Sequence, residues 1–312
     1  MRIAVIDVGT NSVLLLICQL EDRLVKTICD RAVITRLGEE LSEKGDLSRE
    51  AMRRTAEAVS GYLDLSWDMG ADRVEIIGTS ALREARNSDE FIGMVRRQTG
   101  SPIRVISGEE EARLSFISVA CDPSLPLPEG LIAVTDIGGG STEVILGRGR
   151  EMLLHRSFDI GAVKLTERFL RSDPPGKVEI EELMRYLREV WERIETVAVQ
   201  ALVGIGGTVT TMGAMKLQMA EFDPTAVHGM KFSVEEVEGS LYRLASMSVS
   251  ERAELPGMES GRADIIVAGI AILLSLMRRF NLSKMTVSSR GLRYGVIFEE
   301  AKAVCGRGSD SP

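Results

Sequence analysis

Apolar residues along this chain fall into short blocks with two kinds of spacing. Residues 3–17 read IAVIDVGTNSVLLLI, and residues 132–146 read IAVTDIGGGSTEVIL. Each segment is an apolar run, then Asp-x-Gly and a small polar turn, then a second apolar run. That pattern predicts two buried strands joined as a β-hairpin, with a carboxylate and a glycine-rich loop at the tip. Aligned without gaps, Ile3, Ala4, Val5, Asp7, Gly9 and Ser12 match Ile132, Ala133, Val134, Asp136, Gly138 and Ser141. A weaker echo joins 74–80 (VEIIGTS) to 202–208 (LVGIGGT), each a strand-like run ending in Gly-Thr or Gly-Gly-Thr ahead of helical sequence. Two copies of one α/β plan is the simplest account.

Helical spacing of apolar positions covers 48–69 and 177–200. Ser107-Gly108-Glu109-Glu110 is a capping-box pattern that opens a helix to about Ala120, and Asn87-Ser88-Asp89-Glu90 is a similar start. Ile265 to Met277 is the longest apolar run; it is too short to cross a bilayer and predicts a buried helix. DPSLPLPEG (122–130), with three prolines, predicts an exposed linker, Ser172 to Gly176 another loop, and the terminal GRGSDSP a frayed end. A chain of 312 residues suits two domains. The expected division is 1–124 and 125–312.

Composition narrows the function classes. Hydrophobic content of 44% with 27% charged residues is that of a globular protein rather than a disordered one. A net charge of -8 argues against nucleic acid as a partner, although a cleft can still focus a local positive field. The four cysteines (Cys18, Cys29, Cys121, Cys305) form no C-x-x-C pair, which predicts reduced thiols in the cytoplasm rather than disulfides or a zinc site. His155 and His228 are isolated, so neither is a good metal or catalytic candidate. Asp7, Gly9 and Asn11 interrupt the N-terminal apolar stretch, and no small-residue cleavage site follows, so it does not read as a secretion signal. No membrane partner is expected.

The hairpin tips are the first chemical candidates. Glycine lets backbone N–H groups approach an anion with no Cβ in the way. Asp7 and Asp136, one from each half, are expected to face each other across an interdomain cleft. Two carboxylates beside two phosphate cradles suit Mg²⁺, which takes few protein oxygens plus phosphate and water. One Asp-x-Gly alone could be an ordinary turn; its recurrence at the start of each half favours function. No G-x-x-x-x-G-K-[ST] occurs, and Gly204-Ile205-Gly206-Gly207 does not fit the dinucleotide fingerprint.

AVIDVGTNS (4–12), GTSALREARN (78–87), VISGEEEARLSF (105–116), DIGGGSTE (136–143), GIGGT (204–208), GRAD (261–264) and SSRGLRYG (288–295) occur in one order over nearly the whole chain. In this combination the chain resembles the exopolyphosphatase/guanosine pentaphosphate phosphohydrolase (Ppx/GppA) family, in its short two-domain form. The resemblance implies an actin-like (ribonuclease H-like) duplicated α/β fold, with mixed sheets flanked by helices and the active site in an interdomain cleft. By motif, Glu111 matches the general base for the attacking water and Glu143 a second catalytic-site carboxylate. Asp7, Asp136 and Glu143 match the Mg²⁺ set. Gly9, Thr10, Asn11 and Ser12 match one phosphate loop, and Gly138, Gly139, Gly140, Ser141 and Thr142 the other. Arg83, Asn87, Gly207, Thr208 and Arg262 match further phosphate contacts. The implied substrate is inorganic polyphosphate, ahead of guanosine pentaphosphate, and the implied assembly a homodimer. Leu14 departs from the family, which often places a polar or basic residue there.

Each role has a rival. The run Glu109-Glu110-Glu111 could complement a helix dipole, Arg83 could pair with Glu84 or Asp89, Arg262 could cap a helix, and Lys164 is a further phosphate contact or a surface lysine. An actin-fold kinase would transfer phosphate to an acceptor rather than to water, and a nucleotide sensor would bind without turnover. Phosphate release in the absence of an acceptor separates hydrolase from kinase, and tight ligand binding with negligible release marks the sensor.

Overall fold

The computed structural model describes residues 1–21, 24–39, 41, 45–194, 198–259 and 261–306. It divides into two compact units, residues 1–118 with 292–312, and residues 119–291. The predicted frayed end lies almost wholly outside the described residues.

In the first unit, β1 (Arg2–Val8), β2 (Ser12–Glu21) and β3 (Leu24–Ile34) form an antiparallel meander, and β4 (Arg73–Gly78) and β5 (Arg104–Val105) continue it in parallel. The sheet order is β3-β2-β1-β4-β5. β1 is central with both faces covered, which is why its sequence is continuously apolar rather than alternating. Ala4, Ile6 and Val8 point to one face and pack with Met52, Ala56 and Val59 of α1 (Arg49–Asp68) and with Phe91 and Val95 of α2 (Ser88–Thr99). Ile3 and Val5 point to the other, against Leu114 of α3 (Gly108–Ala120). Period-2 alternation therefore sends Asp7 to the α3 side.

The second unit repeats the plan. β6 (Ile132–Ile137), β7 (Thr142–Arg148) and β8 (Glu151–Phe158) are antiparallel, and β9 (Ala201–Ile205) is parallel to β6. β10 (Lys231–Ser233) and β11 (Lys284–Val287) complete the order β10-β11-β9-β6-β7-β8. The helices are α4 (Ala162–Phe169), α5 (Lys177–Trp191), α6 (Gly207–Lys216), α7 (Val234–Ala245) and α8 (Ile266–Arg279). Every residue of α8 from Ile266 to Met277 is buried, as its unbroken apolar sequence requires. Trp191 of α5 donates its indole N–H to Ser275 of α8 at 2.7 Å, which meets the one polar group the ring brings into this core.

The last helix, α9 (Leu292–Gly306), returns to the first unit, where Leu292, Tyr294, Val296 and Ile297 complete the α3 face of the sheet. The expected division at 124/125 put this segment in the second half. Apolar spacing shows that a helix has a buried face but not which core it joins.

The segment 122–130 also differs from the expected exposed linker. Asp122 is fully buried at its side chain and accepts hydrogen bonds from Arg290 at 2.7 Å and Ser124 at 2.9 Å, with His228 Nε2 at 3.1 Å. Burial raises the Asp122 pKa, but His228, Ser124 and Arg290 outweigh it and hold the carboxyl below its ordinary value. Among the described residues Cys18, Cys29 and Cys121 are in no disulfide, and no helix is long and apolar enough to cross a membrane.

The α9 docking is testable at Gly295. A Cβ built there would lie 2.0 Å from the Leu114 carbonyl oxygen, backbone that cannot swing aside. Gly295→Ala is expected to cost about 1–3 kcal/mol through overpacking, read as a lower urea midpoint at unchanged m-value. An unchanged midpoint would place α9 elsewhere.

Candidate functional site

The two hairpin tips are built alike. Gly9 N–H donates to the Ser12 carbonyl at 3.0 Å, and Gly138 N–H to the Ser141 carbonyl at 2.9 Å. At both glycines a Cβ would sit 3.1 Å from that same carbonyl oxygen, tighter than side chains ordinarily tolerate. The loop carbonyls are then clamped from outside. Thr10 C=O accepts from Gly38 N–H and Asn11 C=O from Thr35 and Arg36 N–H, while Gly138 and Gly139 C=O accept from the start of α4. Among the described residues, the N–H groups of Thr10, Asn11, Gly139 and Gly140 have no protein acceptor. Unmet N–H groups on a glycine-rich turn form an anion cradle.

In the first unit the chemistry gathers at the C-terminal ends of β1, β4 and β5, where ligands bind in open α/β sheets. Asp7 ends β1, Arg83 follows β4 in a short helix, and Glu111 lies in the first turn of α3 after β5. Arg83 Nη1 bonds the Glu111 carboxylate at 2.7 Å and the Ile106 carbonyl at 3.0 Å. Asp7 is 8% exposed, and its Oδ1 is buried with no hydrogen-bond partner. Burial is the larger cause that raises its pKa; the Glu111 charge adds to it and Arg293 opposes it, leaving Asp7 at about 7. Arg293, in the first turn of α9, is held by the Leu15 carbonyl at 2.7 Å and by Asp30 at 2.6 Å. Its part in the field at Asp7 was not legible, although it stands in the motif SSRGLRYG.

In the second unit Asp136 ends β6 beside Gly206; a Cβ at Gly206 would lie 2.5 Å from Asp136 Oδ1. Glu143 is paired across the hairpin with Asp136, and one of its oxygens accepts from both Ser141 and Ser157 at 2.8 Å. The equivalent register in the first hairpin pairs Asp7 with Leu14, so the departure seen in the sequence is the first unit's counterpart of Glu143. Arg262, ion-paired with Glu259, lies over Gly207 at the start of α6, where a Cβ would meet the guanidinium carbon at 1.9 Å.

Three candidates are otherwise employed. The Asn87 carboxamide accepts from Leu47 N–H at 2.8 Å and donates to Leu47 C=O at 3.0 Å, so it ties a loop to α2 instead of facing phosphate or capping that helix. The Thr142 hydroxyl is buried and donates to the Ile160 carbonyl at 2.7 Å. Thr208 is 3% exposed, with its side chain against Gly269 of α8. Ser107 caps α3 by accepting from Glu110 N–H at 3.1 Å, but the Glu110 carboxylate goes to Arg104 at 2.6 Å rather than back to the helix terminus. Lys164 is ion-paired with Asp159.

The chain belongs to the Ppx/GppA phosphatase family, which residues 16–304 match, and its fold is the duplicated actin-like one. It is 35% identical to exopolyphosphatase 2 of Mycobacterium tuberculosis over 95% of this chain and 97% of that protein. It is 31% identical to the guanosine-5'-triphosphate,3'-diphosphate pyrophosphatase of Vibrio vulnificus over 95% of this chain, which spans 58% of that longer protein. The crystal structure of the Aquifex aeolicus Ppx/GppA family member matches with a TM-score of 0.87 at 33% identity, covering 100% of this chain and 99% of the other.

Asp7 gives a pH test. Its folded pKa of about 7 stands above the ordinary 3.8, so the folded state holds the proton where the unfolded chain has lost it. Stability is therefore lost as pH rises from about 4 to 7 and then levels off, by about 4 kcal/mol at most at 1.36 kcal/mol per unit. Asp7→Asn removes that slope. In chelator, urea titrations are expected to show the variant as stable as wild type at pH 4 and more stable at pH 8. Parallel pH profiles would contradict the burial of an unsatisfied carboxylate.

Proposed function

We propose that this protein hydrolyses terminal phosphoanhydride bonds, releasing phosphate from inorganic polyphosphate and, as a second substrate, from guanosine pentaphosphate. The observation that carries the reading is the repeated Asp-x-Gly tip, whose unmet N–H groups and adjacent carboxylate recur in both units. A phosphate chain repeats one chemical group, and each unit carries a cradle suited to it. The relatives named for exopolyphosphatase and guanosine pentaphosphate activities support the substrate class.

The residues fit Mg²⁺. Asp7 Oδ1 is a buried oxygen with no partner, and Asp136 and Glu143 supply carboxylates in the other unit. Among the described residues no group of three or more His, Cys, Asp or Glu is gathered as a preformed cage. Bound there, Mg²⁺ would offset the negative charge of the phosphoryl oxygens.

The protein groups divide the remaining work. The N–H groups of Thr10, Asn11, Gly139 and Gly140 take phosphate oxygens. Arg83 presents two donors in a fork that matches phosphate better than a lysine point charge. Glu111 accepts the proton of the attacking water, and the leaving phosphate stays on the loops. Arg83 and Glu111 are bonded to each other, so an arriving phosphate competes with the Glu111 carboxylate for Arg83. An acceptor-using kinase would not release phosphate to water alone, and a sensor would bind without release.

A phosphate-release panel tests the reading directly, with short and long polyphosphate, guanosine pentaphosphate and ATP, each with Mg²⁺ and with chelator. Release from polyphosphate with Mg²⁺, abolished by chelator and restored on readdition, is expected. Full turnover in chelator would remove the metal role, and no release from any of the four would favour the sensor.

Within the same assay, Glu111→Gln is expected to lose on the order of 10²–10⁴ in kcat while binding polyphosphate at least as tightly, because Arg83 is released from its carboxylate partner. Arg83→Lys is expected to lose about tenfold to hundredfold in kcat/KM. Glu110→Gln breaks only a half-exposed pair with Arg104 and is expected to cost about 1 kcal/mol of stability at most, with normal turnover. Equal behaviour of the Glu110 and Glu111 variants would displace Glu111 as the base.

A further inference from the structure

Arg252 lies in the short helix Val249–Ala253 of the second unit and is 2% exposed, one of the largest fully buried side chains in the protein. The phosphate chemistry above makes no use of it. A buried guanidinium is costly, and a well-packed apolar side chain of similar volume is often as stable or more so. Its bonds therefore need an explanation other than stability.

Nη1 donates to the Ala263 carbonyl at 2.8 Å, in a buried setting. Nε is shared between the carbonyls of Met247 at 3.2 Å and Ser248 at 3.4 Å. Nη2 reaches Asp173 at 3.4 Å, a carboxylate half exposed that also accepts from Val249 N–H at 2.9 Å. The shortest of these bonds falls on the carbonyl of Ala263, the residue that follows Arg262. Gly261 just before it has φ 78, and Arg262 C=O accepts from Ile266 N–H at 2.9 Å to enter α8. Arg262 thus stands on a sharp turn with α8 on one side and the Arg252 bond on the other. Its guanidinium lies so close over Gly207 that no Cβ fits beneath it. Glycine at 207 leaves the space that the guanidinium occupies, so its place depends on the Glu259 pair and on the turn that carries it.

We infer that Arg252 is a positioning residue for Arg262. Its bond to the Ala263 carbonyl fixes the 261–264 turn so that the Arg262 guanidinium is held over Gly207, at the start of α6, ready for a substrate phosphate. The inference rests on the phosphate role given to Arg262. Arg252 itself touches no substrate.

The test is a double-mutant cycle read by calorimetric binding of inorganic tripolyphosphate, with steady-state kinetics on polyphosphate and thermal melts of the same proteins. The set is wild type, Arg262→Ala, Arg252→Met and the double variant. Arg262→Ala and Arg252→Met are each expected to weaken tripolyphosphate binding on the order of tenfold, with the loss falling on KM more than on kcat. In the Arg262→Ala background, Arg252→Met is expected to cost no further affinity, whatever its effect on the melting temperature. A purely structural Arg252 would lower the active fraction, and so the apparent kcat, and leave both Kd and KM unchanged. That result, or losses that simply add, overturns the inference. An Arg262→Ala variant with wild-type affinity overturns the phosphate role of Arg262 instead, and the positioning claim with it. If Arg252→Met fails to fold, Arg252→Lys replaces it: the charge and most of the stem remain, the Nη1 bond is lost, and the same split is expected.

Discussion

The closure of each hairpin tip by one short backbone bond governs the arrangement of this protein. With Gly9 N–H on Ser12 C=O and Gly138 N–H on Ser141 C=O, the chain turns within a space that excludes a Cβ. The inward groups of the turn are then satisfied, and the next N–H groups are left without acceptors. Segments far along the chain, 35–38 in one unit and 161–164 in the other, bind the loop carbonyls and hold that orientation. An aspartate two residues before the glycine is brought to the end of the central strand. In the first unit the helices that follow β4 and β5 deliver Arg83 and Glu111 to the ends of those strands, and in the second the turn before α8 places Arg262 over Gly207.

The two copies share this frame and differ in what they place on it. In the first unit the register sets Leu14 opposite Asp7, and the aspartate is buried with an unsatisfied oxygen and a pKa near neutrality. In the second, Glu143 stands opposite Asp136, and two serine hydroxyls hold one of its oxygens. One copy offers a poorly solvated carboxylate that gains most from a cation; the other offers a hydrogen-bonded pair that is stable without one. Duplication supplied the cradle, and divergence at one cross-strand pair separated the electrostatic roles.

Much of this frame was legible in the sequence because it rests on local rules. Paired apolar runs joined by Asp-x-Gly mark both hairpins, the Gly-Thr echo marks β4 and β9, and the long apolar run marks α8. What escaped depends on partners distant in the chain. Asn87 reads as a helix start, but its carboxamide is engaged by Leu47 across a loop. Thr142 and Thr208 sit in the right motifs, yet their side chains turn toward Ile160 and Gly269. Asp122, in a proline-rich stretch, is buried because Arg290, Ser124 and His228 converge on it, and α9 belongs to the first unit because Leu114 and Val5 are its neighbours. Spacing reports that a group is turned inward or outward; it does not report what waits there.

A chain of net charge -8 that handles a polyanion has to keep repulsion in check without leaving cations permanently exposed. Ion pairing meets that need: Arg83 pairs with Glu111, Arg262 with Glu259 and Arg293 with Asp30. Each arginine is thereby oriented in advance but electrically quenched. In the proposed reaction a phosphate displaces a carboxylate from an arginine, so the field favourable to substrate develops only as substrate arrives. For Arg83 the displaced carboxylate is Glu111 itself. The contact proposed to hold the phosphate is thus also the partner of the proposed base, so binding and activation are coupled through one arginine.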